Sequence, residues 1–197
     1  RSSDLMDTNA FFKLSYGLYV ITSKSNDKES GCVINAMMQL TAESPQIAIA
    51  VNKNNYTTEL IQESQVFNAS VLMDDVSMDV IKTFGFQSGR DNDKFKDGNY
   101  GTDQNGLKYL KDASATFSCQ VKKSIDVGTH ILFIAKVIEA KILNEGEVLT
   151  YAAYHEKKKV KKGWRCTVCG FIYEGENLPE DYICPVCKVD ASHFSKI

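Results

Sequence analysis

Histidine, proline and tryptophan are scarce in this chain: three, three and one in 197 residues. The histidines, His130, His155 and His193, stand far apart, so nothing announces a histidine-rich metal set or a hydrolase triad. Neither a G-x-G-x-x-G fingerprint nor a P-loop occurs. Gly85 and Gly89 do not supply one, because no strand-to-helix unit surrounds them. No apolar run approaches the ~18 residues of a membrane span. Basic excess is missing too: 23 Lys and Arg face 25 Asp and Glu, a net charge of −2. A global footprint for nucleic acid is therefore absent. The opening Arg1-Ser2-Ser3-Asp4 lacks the charged-then-apolar pattern of a secretory signal. No internal repeat is visible. The expectation is a protein with neither nucleic acid nor membrane as partner. Hydrophobic content of 43% and charged content of 24% are ordinary for a globular chain. The length allows one full domain plus a small one.

What the chain does have is six cysteines. Four form Cys166-x-x-Cys169 and Cys184-x-x-Cys187, two pairs that place four thiolates around one tetrahedral metal ion. Adjacent CxxC thiols make poor structural staples. Cys32 and Cys119 sit singly among apolar residues and read as buried free thiols. This usage points to a reducing cytoplasm. The spacing suits zinc and iron alike; a 2Fe–2S cluster calls for other spacings. Gly170 lets the first pair turn sharply and Pro185 stiffens the second. Trp164, Phe171, Tyr173, Tyr182 and Phe194 offer an aromatic cluster. So short a module needs its metal to hold together.

Charge divides the chain. Residues 1–154 carry 15 basic and 19 acidic groups, residues 155–163 carry five and one, and residues 164–197 carry three and five. The basic run Lys157–Lys162 is a linker candidate that self-repulsion would extend. Ahead of it, β-forming runs at 18–22, 32–34, 47–51 and 67–72, and longer ones near 115–123 and 130–142, predict strands. The unbroken Ile47–Val51 run implies burial on both faces. Short helices are expected at 8–14, at 58–64 with Thr57 as cap, and at 76–84 stopped by Gly85. The polar stretch 86–105 reads as a long loop. Strands without regular βαβ alternation favour a mainly β, largely antiparallel barrel with short helices. Such a body has no self-sufficient catalyst and, beside a redox metal, invites a bound cofactor.

The phrases Cys169-Gly170-Phe171-Ile172-Tyr173 and Leu178-Pro179-Glu180-Asp181-Tyr182-Ile183-Cys184-Pro185 resemble rubredoxin, a small one-electron iron carrier. The resemblance covers the last ~35 residues. It departs from the family in a shorter gap between the pairs. Lys188 stands where glycine is usual, and Ile183 where an aromatic is common. Upstream, Leu14–Thr22, Asn35–Thr41, Val51–Asn54, Phe84–Asp91 and Asp126–His130 resemble, in order, the flavin reductase-like family. The whole arrangement is similar to the high-molecular-weight rubredoxins of anaerobic bacteria.

That resemblance implies an FMN-binding split β-barrel over 1–154, the basic linker 155–163, and a rubredoxin-like domain with an iron at Cys166, Cys169, Cys184 and Cys187 over 164–197. It implies a homodimer and an electron path from NADH or NADPH through FMN to the iron. The acceptor would be a redox partner such as a flavodiiron protein that reduces nitric oxide or oxygen. Candidate FMN contacts are Asn35, Ala36, Met37, Met38, Gln39, Thr41, Asn52, Lys53, Thr57, Ser88 and Arg90. His130 is the candidate catalytic residue near the nicotinamide. The residues themselves agree: Asn35–Thr41 can offer backbone groups to a ring edge, while Lys53, Thr57 and Thr58 beside a helix start suit a phosphate. Met37 and Met38 also suit a core, Thr57 a helix cap, and Lys53 a solvated turn. The rival reading is a flavin-binding or sensory module with a structural zinc ribbon and no NAD(P)H oxidation.

Overall fold

The computed structural model describes residues 6–158, 163–169, 171–173 and 175–197. Chain order explains the main sheet. Asn26, at positive φ, turns β1 (Tyr19–Ser25) directly into β2 (Lys28–Ile34). β3 (Met37–Thr41) folds back onto β4 (Gln46–Asn52) through Ser44, also at positive φ. β5 (Val66–Val71), β8 (Ala115–Asp126) and β9 (His130–Ile142) complete seven strands in the order β2-β1-β5-β8-β9-β4-β3. Every pairing in it is antiparallel. Ile21, Ile34, Ile47, Ile49, Phe67, Cys119 and Phe133 belong to one buried cluster. Residues from strands near both ends of the order meet there, so the sheet curls around a single core. Burying each such side chain is worth roughly 1.5–3 kcal/mol.

Helix α1 (Tyr56–Ser64) follows β4, with Leu60 and Ile61 buried. Its N-cap is Asn55, and Thr57 lies inside the first turn, not before it. The expected cap is therefore corrected: the Asn52–Asn55 turn already breaks the strand. α2 (Met78–Phe86) is capped by Ser77 and runs through Gly85. The helix outlasts its glycine because the Lys94 ammonium donates toward the Phe84 carbonyl at 3.5 Å and the Gly31 carbonyl at 2.7 Å. It thereby supplies a donor that the last turn lacks.

The stretch expected to be a loop holds β6 (Tyr100–Thr102), which pairs with β7 (Lys108–Leu110). A buried polar network fixes this hairpin. Asp103 accepts from the amides of Asn105 and Leu107 and from Asn68 Nδ2, while Asn68 accepts from Thr116. Within segment 35–41, for which the sequence predicts no strand, Met37–Thr41 form β3, with most of its side chains exposed.

The chain divides into two units, Arg1–Ala153 and Tyr154–Ile197. α3 (Tyr151–Lys158) occupies the first part of the segment expected to be extended. Glu156, Lys157 and Lys158 are good helix formers, and that propensity prevails there over charge repulsion. The rest of the basic run, 159–162, lies outside the described residues, as does Gly170. The second unit holds β10 (Trp164–Cys166), β11 (Ile172–Tyr173) and β12 (Phe194–Lys196) in the order β11-β10-β12. Among the described residues no helix is long and apolar enough to cross a membrane.

Candidate functional site

In the second unit, two turns of like construction bring four sulfurs together. The Cys166 amide donates to the Phe171 carbonyl and the Cys184 amide to the Val189 carbonyl, each at 2.8 Å. The amides of Val168 and Cys169 face the Cys166 sulfur, and those of Val186 and Cys187 face the Cys184 sulfur. All four Sγ atoms lie within 4.8 Å of one another. Cys166 and Cys187 approach to 3.6 Å, and Cys169 and Cys184 to 3.5 Å. An ion with four bonds of about 2.3 Å holds tetrahedral sulfurs about 3.8 Å apart, so the cage fits a single thiolate-bound metal. Four thiols this close cannot all ionise unaided. Desolvation works to raise Cys184, yet the Cys187 and Val186 amides and the neighbouring Cys169 and Cys187 groups hold it down to about 6. The Val189 amide works to lower Cys187, but desolvation and the other three cysteines push it up to about 12. A bound cation removes that conflict. Cys166 and Cys184 are buried, whereas Cys169 is exposed and Cys187 half-buried.

In the first unit Asn35–Met37, Asn52, Lys53, Thr57 and His130 lie about the second half and end of β4, whereas Met38 and Gln39 face Ala48 and Ile47 nearer its start. The Ala50 amide donates to the Ala36 carbonyl, and Met37 faces Ile49 in the ladder, which carries Asn35–Met37 toward Asn52. Asn52 faces His130 across β9, and the Lys53 amide donates to the Thr129 carbonyl. His130 Nδ1 lies 2.8 Å from the Thr129 hydroxyl. Thr57 is buried, its hydroxyl donating to Ser30 Oγ at 3.3 Å, and Thr58 donates to the Asn52 carbonyl at 2.7 Å. Ser88 accepts from the Arg90 amide. Thr41 falls elsewhere: it sits beside the β3–β4 turn, bonded to the Ser44 carbonyl.

Both cations expected near a phosphate are already paired. Lys53 Nζ lies 2.6 Å from Asp126, whose carboxyl is held below its usual range by that lysine and by the Gly128 amide. Arg90 pairs with Glu59 and lies 4.7 Å over the Tyr56 ring. Asp126, Glu59 and Tyr56 are neighbours of these candidates that the sequence reading did not name as site residues. A cleft of about 530 Å³ opens beside Tyr56 and Arg90, but Asp27, Glu29, Asp91 and Asp93 also line it, which opposes an anion. An apolar groove of about 380 Å³ lies along Tyr19, Met37, Met38, Ile47, Phe117 and Val137. Its edge is β3, an end strand paired only with β4. The first turn of α1 has no side-chain cap bond from Asn55, leaving a helix start suited to an anion. The apolar groove suits a flat ring and the open helix start suits an anion, the one along the Ile47 part of β4 and the other beyond its Asn52 end.

Comparison with known proteins follows the same division. A family model described as flavin reductase like domain matches residues 11–159, and one described as rubrerythrin, rubredoxin-like domain matches residues 164–195. The chain is 36% identical to a high molecular weight rubredoxin of Moorella thermoacetica, over 98% of this chain and 100% of that protein. It is 42% identical to a ferric-chelate reductase (NAD(P)H) of Archaeoglobus fulgidus, over 83% of this chain and 97% of that one. Among solved structures, the NADH:FAD oxidoreductase of Streptomyces globisporus C-1027 shares the fold with a TM-score of 0.68 and 19% identity, over 74% of this chain and 86% of that chain.

Proposed function

Because this chain belongs to the flavin reductase-like family, and with its second unit to the high molecular weight rubredoxins, we propose that it passes electrons from NADH or NADPH through bound FMN to one iron, and on to an acceptor such as a flavodiiron nitric oxide or oxygen reductase. The observation that carries this reading is the four-sulfur cage, set in the same chain as a flavin reductase-like domain. The flavin supplies hydride acceptance and release of single electrons, and the thiolate-bound iron supplies a one-electron couple.

The chain's own part is to bind and orient. Met37 and Met38 line the groove that receives the ring, with Asn35, Ala36 and Gln39 beside its polar edge. The start of α1, Thr57 and Asn52 receive the phosphate, with Lys53 released from Asp126 to join them. Ser88 and Arg90 act from the loop after α2. Half-buried His130 is assigned to the nicotinamide side. A second copy covers the exposed Met38 and Leu40 of β3, making a homodimer. We take 1–154 as the flavin domain, 155–163 as a tether and 164–197 as the iron domain. Six free cysteines suit a reducing cytoplasm.

The test is an anaerobic NADH titration of the full chain with flavin and iron spectra recorded together. Bleaching of both is expected; a flavin that stays oxidised under NADH sinks the reading. A second reading rests on the Archaeoglobus relative, which this chain matches over 83% of its own length: electrons leave the flavin directly for a ferric chelate. Reduction of ferric citrate by a Cys169→Ser variant, at a rate equal to that of the parent chain, would favour it.

A further inference from the structure

The two carboxylate oxygens of Asp126 have separate tasks. Oδ1 accepts from the Gly128 amide at 2.9 Å, inside the turn between β8 and β9, where Gly128 takes a φ of +95°. Oδ2 faces Lys53 Nζ at 2.6 Å. The turn bond holds the carboxylate in place whatever the lysine does. Lys53 is fixed in turn at its backbone, its amide donating to the Thr129 carbonyl at 3.0 Å. Its side chain can therefore leave Asp126 without moving the strand end that carries it.

The pair is built to be exchanged. The lysine side chain is 38% exposed and the carboxylate 64%, and an ion pair so open to water holds weakly. A phosphate monoester brings about two negative charges and more acceptor oxygens, so it outcompetes one carboxylate for an ammonium. The Asn55 amide donates to the Asn52 carbonyl at 3.0 Å, and this turn folds Lys53 against the start of α1, which lacks a side-chain cap bond. Among the described residues no second ion pair engages Lys53. Arg90 differs: it is paired with Glu59, yet Asp27, Glu29, Asp91 and Asp93 line the cleft beside it, so parting it from one carboxylate leaves others at hand.

Resting on the placement of the FMN phosphate proposed above, we propose that Asp126 is the carboxylate which that phosphate displaces from Lys53, and that this competition sets how firmly the cofactor is held. In the flavin-free chain Asp126 stands in for the phosphate; in the loaded chain it competes with it. Binding breaks one ion pair and makes another, so the phosphate's gain is reduced and FMN stays exchangeable. Asp126 is a positioning residue, since it acts on the flavin through Lys53.

The test uses the full iron-loaded chain, freed of flavin, in phosphate-free buffer at low salt. It is titrated with FMN or with riboflavin, which lacks the phosphate, and loss of flavin fluorescence gives each dissociation constant. The parent chain is expected to hold FMN more tightly than riboflavin, and Lys53→Met to weaken FMN alone. Asp126→Asn keeps an acceptor for the Gly128 amide and removes the charge facing Lys53. It is expected to tighten FMN about threefold, within what an exposed ion pair is worth, and to leave riboflavin unchanged. In a Lys53→Met background the same substitution should change nothing, because its effect runs through the lysine. An Asp126→Asn variant that leaves FMN binding unchanged or weaker, tightens riboflavin equally, or acts without Lys53 overturns the competition. FMN held no better than riboflavin by the parent chain, or untouched by Lys53→Met, overturns instead the placement of the phosphate.

Discussion

Cys32 illustrates how a residue outside any site still governs behaviour. Desolvation pushes its thiol up to about 11, against weaker pulls from the Thr57 hydroxyl and Lys94. Cys119 moves in the same direction, raised by burial and then by Asp103. The folded state thus keeps Cys32 protonated where the unfolded chain ionises near 9. Its stabilising effect is complete below about pH 9 and is lost as pH climbs toward 11, at most about 3 kcal/mol. The urea midpoint should fall further between pH 8 and pH 11 for the parent chain than for Cys32→Ala. Equal slopes would clear this thiol of the effect. The two buried cysteines were legible in the sequence because they stand alone among apolar neighbours. The four ligands were legible because CxxC is a local pattern. Lys53–Asp126 was not, since the partners lie 73 residues apart and only the β4–β9 ladder brings the β8–β9 turn to Lys53.

At the scale of elements, local patterns and long-range contacts divide the fold between them. Ile47–Val51 reads as a doubly buried strand and is one, with Ile49 and Val51 fully enclosed. β3 escaped notice because its side chains are mostly exposed and it exists only by pairing with β4. The β6–β7 hairpin escaped for a related reason: its anchor is the buried Asp103, which reads as a loop residue until Asn68 and Thr116 are beside it. The end of α2 depends on Lys94, eight residues past Phe86 and so beyond any helix-stop rule. Lys94→Met keeps the aliphatic stem and removes both donated bonds. Leaving two buried carbonyls short of a donor should cost about 1–3 kcal/mol. Burial already lowers the pKa of this ammonium, with Cys32 acting the other way, so relief of desolvation offsets part of that loss. In calorimetry the flavin domain should melt lower by at most about 12 °C, and by less where that offset acts, on a scale of roughly 2–4 °C per kcal/mol. An unchanged melting point would mean that the ammonium only rests against those carbonyls.

The whole molecule joins two bodies that are stable for different reasons. The first has a continuous hydrophobic core spanning its sheet. In the second, the fully buried members of the core are Cys166, Cys184 and Phe194, and two of those three are metal ligands. Trp164, Phe171, Tyr173 and Tyr182 pack around them only in part. Such a core cannot offset the entropy of ordering its own residues, so the metal must supply the difference, about 10 kcal/mol in small thiolate modules. A cysteine framework and an aromatic cluster following a basic stretch are legible in the sequence. The family resemblance it carried is the one that the comparisons establish. The single tryptophan makes the consequence measurable, because Trp164 lies in the second unit. Stripping the metal with a chelator should shift Trp164 emission to the red while the thermal transition of the flavin domain stays in place. Acid should do the same, since protons compete with the metal for thiolates and more metal is lost as pH falls. Tryptophan emission that ignores chelation would show that the second unit stands without its metal. A flavin domain that melted alongside it would show that the two bodies fold as one.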